Sequence, residues 1–203
     1  MPQKILLATR NAHKTLEVRA ILGAAWSVTD LLGRPDLPEV DETGLTFADN
    51  AALKALAGSR VFPGGWTLAD DSGLEVDALG KAPGVRSARY AGPGANDDAN
   101  RQHLARELQR VVGPTYAQPQ PARFRCCIAV AWDGMVAKQF DGTVEGAVVH
   151  PARGEGGFGY DPVFVPAGYK ETFAELPAEV KNKLSHRGEA MRQAVEFLRR
   201  IAA

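Results

Sequence analysis

Lys4-Ile-Leu-Leu-Ala8 is a short apolar run of the kind that forms a buried strand, and Leu16 to Leu22 carries apolar positions at helical spacing after a polar turn, Thr9 to His13. The chain therefore opens strand, turn, helix. Ser27 to Leu32 predicts a second strand. A loop rich in proline and acids, Pro35 to Gly44, leads to Thr46-Phe-Ala-Asp49, the capping signal of a helix that runs to about Arg60. Trp66 to Ala69 and Leu74 to Leu79 predict short strands flanking Asp70-Asp71-Ser72-Gly73, whose residue types favour a turn, and this puts the acids at a strand end.

Asn96-Asp-Asp is a natural helix start, with Leu104, Leu108 and Val111 as the buried stripe. Gly113 to Pro121, with three prolines, stops that helix and is the best internal boundary. Phe124 to Trp132 and Met135 to Val149 predict a hairpin turning at Asp133-Gly134, a pair suited to the positive φ of tight hairpins. A glycine-dense loop (Gly154 to Gly159), a short strand (Val163 to Val165) and a terminal helix from about Gly188 to Ile201 complete the chain. Alternating strands and helices predict an α/β or α+β architecture around one mixed sheet.

Length bounds this picture: 203 residues fit one large domain or two closely packed lobes. With 45% apolar residues the chain has the material for a core, while Gly 21 and Pro 13 stay below the level that marks disorder. Lys+Arg 24 against Asp+Glu 24 leaves no net field to hold a nucleic acid or an anionic membrane, so any anion is bound locally. Only four consecutive apolar residues follow the start, too few for a signal peptide, and the longest apolar run, Cys126 to Trp132, is too short to span a bilayer. The expectation is a cytoplasmic protein. Cys126 and Cys127 are adjacent in a strand-like run and point to opposite faces, which predicts two buried thiols rather than a disulfide.

The turn Thr9-Arg10-Asn11-Ala12-His13-Lys14 enters a helix, where unpaired backbone N–H groups favour an anion such as phosphate. Thr9 and Asn11 can add hydrogen bonds and Lys14 a charge; a capped surface helix explains the same residues. The glycines of a Walker A loop are missing. Glu42, Asp70 and Asp71 are the acidic candidates for holding Mg²⁺ beside a triphosphate, with Asp71 also the candidate base for attacking water, unless Asp70 to Gly73 is merely a turn and Glu42 a solvated loop residue. Asn50 and Lys54, four apart, share a helix face that could meet phosphates or solvent. In Gly154-Glu-Gly-Gly-Phe-Gly-Tyr-Asp161, glycines permit close backbone approach while Phe158 and Tyr160 offer ring faces to a planar base, or else tuck into the core. Lys181, Ser185, His186 and Arg187 collect donors suited to the 6-oxygen of an inosine-like purine, although His186 alone, near a helix start, reads equally as structural.

Ala8-Thr-Arg-Asn-Ala-His-Lys14, Glu42-Thr-Gly-Leu-Thr-Phe47, Asn50-Ala-Ala-Leu-Lys54, Ala69-Asp-Asp-Ser-Gly-Leu74, Ser87-Ala-Arg-Tyr90, Gly156-Gly-Phe-Gly-Tyr-Asp-Pro162 and Ser185-His-Arg187 together resemble, in order, the signatures of the non-canonical purine nucleoside triphosphate pyrophosphatases, the inosine triphosphatase or Ham1-like family. The departure is His13, where many members carry glycine. The resemblance implies an elongated mixed α/β fold of two lobes with a central nucleotide-binding cleft, and hydrolysis of ITP, dITP or XTP to the monophosphate and pyrophosphate with Mg²⁺. It further implies that Thr9, Arg10, Asn11, Ala12, His13 and Lys14 hold the triphosphate with Lys54, that Asp71 is proton acceptor and metal ligand with Glu42, and that Ser72 touches substrate. Phe158, Gly159, Tyr160, Asp161, Lys181, His186 and Arg187 would bind the nucleotide, and such proteins are usually homodimers.

Overall fold

The computed structural model of the chain describes residues 3–37 and 39–201. Met1, Pro2, Pro38, Ala202 and Ala203, which include parts of the N-terminal segment and of the acid-rich loop read above, lie outside the described residues. The strands are β1 (Gln3–Leu7), β2 (Trp26–Asp30), β3 (Trp66–Val76), β4 (Gln120–Trp132), β5 (Met135–Val148) and β6 (Phe164–Pro166). The α-helices are α1 (Ala12–Leu22), α2 (Phe47–Val61), α3 (Asp97–Val112), α4 (Ala178–Leu184) and α5 (His186–Ile201), joined in places by short 3₁₀ turns. The strands form one mixed sheet in the order β2-β1-β3-β4-β5-β6, the α/β architecture expected. Parallel pairing of β1 with β2 and with β3 follows from the helical crossovers α1 and α2. β4 and β5 are joined by the predicted two-residue turn, where Asp133 (φ 46°) and Gly134 (φ 76°) both take left-handed backbone.

Two compact units divide the described chain. Residues 3–71, 126–142 and 186–201 build the first around Ile5, Leu7, Val18, Leu22, Leu68, Ile128, Val130, Met191 and Leu198. Here α1 and α5 cover one face of the β1 region. α2 lies so close to the strands that a Cβ on Gly58 would meet Thr67 Cγ2 at 2.8 Å and Ala8 Cβ at 2.9 Å. Residues 72–125 and 143–185 build the second around Leu74, Leu104, Leu108, Phe124, Phe164 and Phe173, with the Phe124 and Phe164 rings edge to face at 4.6 Å. Cys126 and Cys127 are both free and buried as expected, and burial, aided by Asp141, pushes the Cys127 thiol up to about 12.

Four expectations are corrected. Asp70-Asp71-Ser72-Gly73 is not a turn between two strands; β3 runs unbroken through it, because the two buried acids find cationic and amide partners that let them lie in an extended strand. The proline-bearing stretch Gly113 to Pro121 is not the boundary: it holds a 3₁₀ turn and the start of β4, while the units divide after Asp71, Arg125, Gly142 and Ser185. Val111 stands exposed rather than in the stripe, and α3 buries Asn100, Leu104 and Leu108. Finally, α5 begins at His186 and α1 at Ala12, so Ala12, His13, Lys14, His186 and Arg187 are helical, while Thr9, Arg10 and Asn11 form the turn before α1.

The capping signal of α2 is realised in full. Thr46 Oγ1 accepts from the Asp49 N–H at 3.1 Å while Asp49 Oδ2 accepts from the Thr46 N–H at 3.1 Å. Thr46→Ala is expected to cost about 1 kcal/mol and to lower the melting temperature by roughly 2–4 °C, readable by thermal denaturation.

Candidate functional site

In the first unit the turn after β1 is built as a helix cap. Asn11 Oδ1 accepts from the N–H groups of His13 (2.9 Å) and Lys14 (3.2 Å), and Thr9 Oγ1 accepts from the Asn11 N–H (3.1 Å). Two of the amides that an anion would use at this helix start are thus already satisfied by the cap. Ala12 and His13 are exposed at the start of α1. Arg10 turns away from the cap, its guanidinium donating to the carbonyl oxygens of Leu31, Arg34 and Leu37, so that the side chain braces the following loop.

Behind the turn lies a buried ionic chain. Lys14 Nζ stands 3.0 Å from Asp70 Oδ2, and Arg187, from the first turn of α5, reaches the same oxygen through Nη2 (2.9 Å) and Nε (3.2 Å). The remaining arm of Arg187, Nη1, meets Glu17 Oε2 at 2.5 Å. Burial resists ionisation of Asp70, but Lys14, Arg187 and Lys54 together outweigh it and hold the carboxyl well below the usual range. Arg187 itself is the largest fully buried side chain, held charged against burial by Asp70 and Glu17. Glu17 escaped the sequence reading; the available signal was its i,i+3 spacing from Lys14 on one helix face.

The second acid of β3 serves a different cluster, since alternate residues of a strand face opposite ways. Lys54 Nζ from α2 bridges Glu42 Oε1 (2.7 Å) and Asp71 Oδ1 (3.3 Å). Asn50, one turn earlier and fully buried, donates from Nδ2 to Asp71 Oδ2 (3.1 Å) and accepts the Gly44 N–H at Oδ1 (2.8 Å). It thereby ties the loop carrying Glu42 to the carboxylate of Asp71. A Cβ on Gly44 would stand 2.7 Å from Asn50 Oδ1 and 2.5 Å from Asp49 Cβ, so only glycine fits this approach. Burial raises the Asp71 pKa; Lys54 and Asn50 oppose that and Glu42 adds to it. Burial works against the charge on Lys54, but Asp71, Asp70 and Glu42 prevail and raise its pKa. The result is a pair of carboxylates held together by one ammonium, one of them with its pKa raised by burial. Among the described residues no group of three or more His, Cys, Asp or Glu gathers to hold a metal by itself.

In the second unit Asp161 Oδ2 accepts from Lys181 Nζ at 2.5 Å and from the Phe158 N–H at 2.8 Å, and Lys181 Nζ lies 4.9 Å from the centre of the Phe158 ring. A Cβ on Gly157 would stand 2.1 Å from Asp161 Oδ2. Tyr160 does not offer a free ring face: it is buried in the core of this unit, and its hydroxyl donates to the Ser87 carbonyl at 2.9 Å. Phe158 and Gly159 are half-buried, as is Ser72 on β3. The donors read as one set divide between units, Lys181 and Ser185 in the second, His186 and Arg187 in the first, all four buried.

A family model described as "Ham1 family" matches residues 5–197. A dITP/XTP pyrophosphatase of Desulforamulus reducens is 47% identical over 199 residues, covering 98% of this chain and 96% of its own. Its counterpart in Streptomyces avermitilis is 45% identical, with 98% of each chain covered. Among solved structures, a HAM1 protein from Coxiella burnetii superposes with a TM-score of 0.84 at 34% identity, covering 98% of this chain and 99% of that one. With the family match running almost from end to end, the chain belongs to the Ham1 family.

Proposed function

We propose that the chain hydrolyses ITP, dITP and XTP to the nucleoside monophosphate and pyrophosphate by attack of water on the α-phosphorus, clearing such nucleotides from the cytoplasmic pool. The observation that carries this reading is the Glu42–Lys54–Asp71 cluster, in a chain whose relatives are named dITP/XTP pyrophosphatases. Asp71, its pKa raised by burial, takes the proton of the attacking water, with Asn50 fixing the carboxylate that receives it. Lys14 and Lys54 place positive charge against the triphosphate, Lys14 held in position by Asp70. Thr9, Asn11, Ala12 and His13 shape the turn beside them, and Arg10 anchors it to the loop behind.

Glu42 and Asp71, two carboxylates sharing one cation, fit the needs of Mg²⁺, which takes one or two carboxylates alongside phosphate oxygens and waters. When bound it supplies positive charge toward the leaving pyrophosphate. Phe158, Gly159, Asp161, Lys181, His186 and Ser72 are assigned to the nucleotide, while Tyr160 and Arg187, buried and bonded to Ser87 and to Asp70 and Glu17, support the site from within. Donors such as Lys181 and His186 favour a purine whose position 6 carries oxygen over one with an amino group. The reading includes a homodimer and neither a nucleic-acid nor a membrane partner. The balanced charge supports the absence of a nucleic-acid partner, and no described helix is long and apolar enough to cross a membrane.

Steady-state hydrolysis of ITP, XTP, GTP and dUTP with Mg²⁺ tests the assignment. ITP and XTP are expected to exceed GTP and dUTP in kcat/KM by about a hundredfold, and preference for dUTP would replace the purine reading by a pyrimidine one. In the same assay Lys14→Ala is expected to lose about a hundredfold in kcat, while Lys81→Ala, at an exposed side chain paired only loosely to Glu75, leaves it unchanged.

A further inference from the structure

The loop assigned to the base is held by α3, an element that none of the signature segments includes. Asn96 caps this helix by accepting the Ala99 N–H at 2.8 Å, and Asp97 is its first residue. Asp97 Oδ2 accepts the Gly159 N–H at 2.6 Å, and Arg101 Nη1 donates to the Gly159 carbonyl at 2.6 Å. Asp97 and Arg101 are four residues apart and share a helix face, so one turn of α3 grips the peptide groups on both sides of the Gly159 Cα. At Gly159 the backbone is left-handed (φ 61°), a conformation that side chains disfavour and that external contacts help to hold. Immediately before it the Phe158 N–H is fixed by Asp161, the same carboxylate that pairs with Lys181. Both contacts from α3 are charge-assisted and neither belongs to the hydrophobic core of the second unit.

We propose that Asp97 and Arg101 are positioning residues for nucleotide binding: through the Gly159 peptides they set the Phe158 backbone and hence the affinity for the base, leaving the triphosphate chemistry untouched. This rests on the assignment of Phe158, Gly159 and Asp161 to the nucleotide. The side chains themselves touch neither base nor phosphate; their effect passes through the loop.

The test compares ITP with a ligand that has no base. In Asp97→Ala and Arg101→Met, KM for ITP is expected to rise about five- to tenfold with kcat changed less than about twofold, while the inhibition constant of inorganic tripolyphosphate stays within about twofold of wild type. Asp97→Asn, whose amide oxygen still accepts from Gly159, is expected to recover most of the lost affinity. The double variant should be little worse than the more affected single one, because both grip one residue. Unchanged KM in both single variants, or tripolyphosphate weakened as much as ITP, overturns the proposal. A fall in kcat at constant KM does so too. A wild-type protein inert toward ITP would instead overturn the functional assignment, and the clamp's role with it.

Discussion

Asp71→Asn is expected to reduce kcat for ITP by about three orders of magnitude, the range ascribed to a positioned general base, while calorimetry still detects ITP binding. The substitution keeps the shape of the side chain and an oxygen that can accept from Asn50. It removes proton affinity and sets an NH₂ or an uncharged oxygen against Lys54 where a carboxylate now pairs. The wild-type pH profile carries the same signature. Because burial raises the Asp71 pKa, activity is expected to grow as pH rises through a limb lying above the ordinary carboxylate value of about 4, and that limb disappears in Asp71→Asn. Full activity in the variant would remove Asp71 from the role of base.

The largest effect on stability is expected at the other acid of β3. Asp70 sits at the centre of the Lys14–Asp70–Arg187–Glu17 chain with no exposed side-chain surface, and Asp70→Ala strips Arg187 and Lys14 of a shared counter-charge in the interior. Breaking one partner of a buried ion pair costs about 3–5 kcal/mol, which for a chain of this length lowers the melting temperature by roughly 6–20 °C. The pH dependence has a definite sign. The folded-state pKa of Asp70 is depressed, so its contribution is fully present above the unfolded value of about 3.9 and is lost as pH falls toward the folded value. Melting curves of wild type and Asp70→Ala should therefore converge as the solution is acidified. A constant gap across that range would show that the cavity, and not the charge, sets the cost.

The two acids also show where sequence reasoning stopped. The β1-turn-α1 opening, the capping box at Thr46, the Asp133-Gly134 hairpin and the two buried thiols are local features, and periodicity or turn chemistry within a few residues made them legible. Asp70-Asp71-Ser72-Gly73 read as a turn because turn propensity is local, whereas the partners that stabilise it as strand come from α1, α2 and α5. Arg187 read as a donor for substrate; its burial between Asp70 and Glu17 depends on residues far along the chain that no spacing rule connects. Tyr160 likewise looked like a platform because aromatics between glycines do, and only the packing around Leu104 and Phe164 makes it core. Lys14, Lys54, Glu42 and Asp71 were nameable in advance, but their division into two separate ionic clusters was not. That division follows from the alternation of β3, which places Asp70 with Lys14 and Asp71 with Lys54.

The reaction is defined by which phosphorus the water attacks. Hydrolysis of ITP in ¹⁸O-enriched water, followed by mass spectrometry of the products, reads this directly. Attack at the α-phosphorus predicts pyrophosphate free of label and inosine monophosphate carrying one ¹⁸O. Label in the pyrophosphate, or release of orthophosphate with inosine diphosphate, would contradict it.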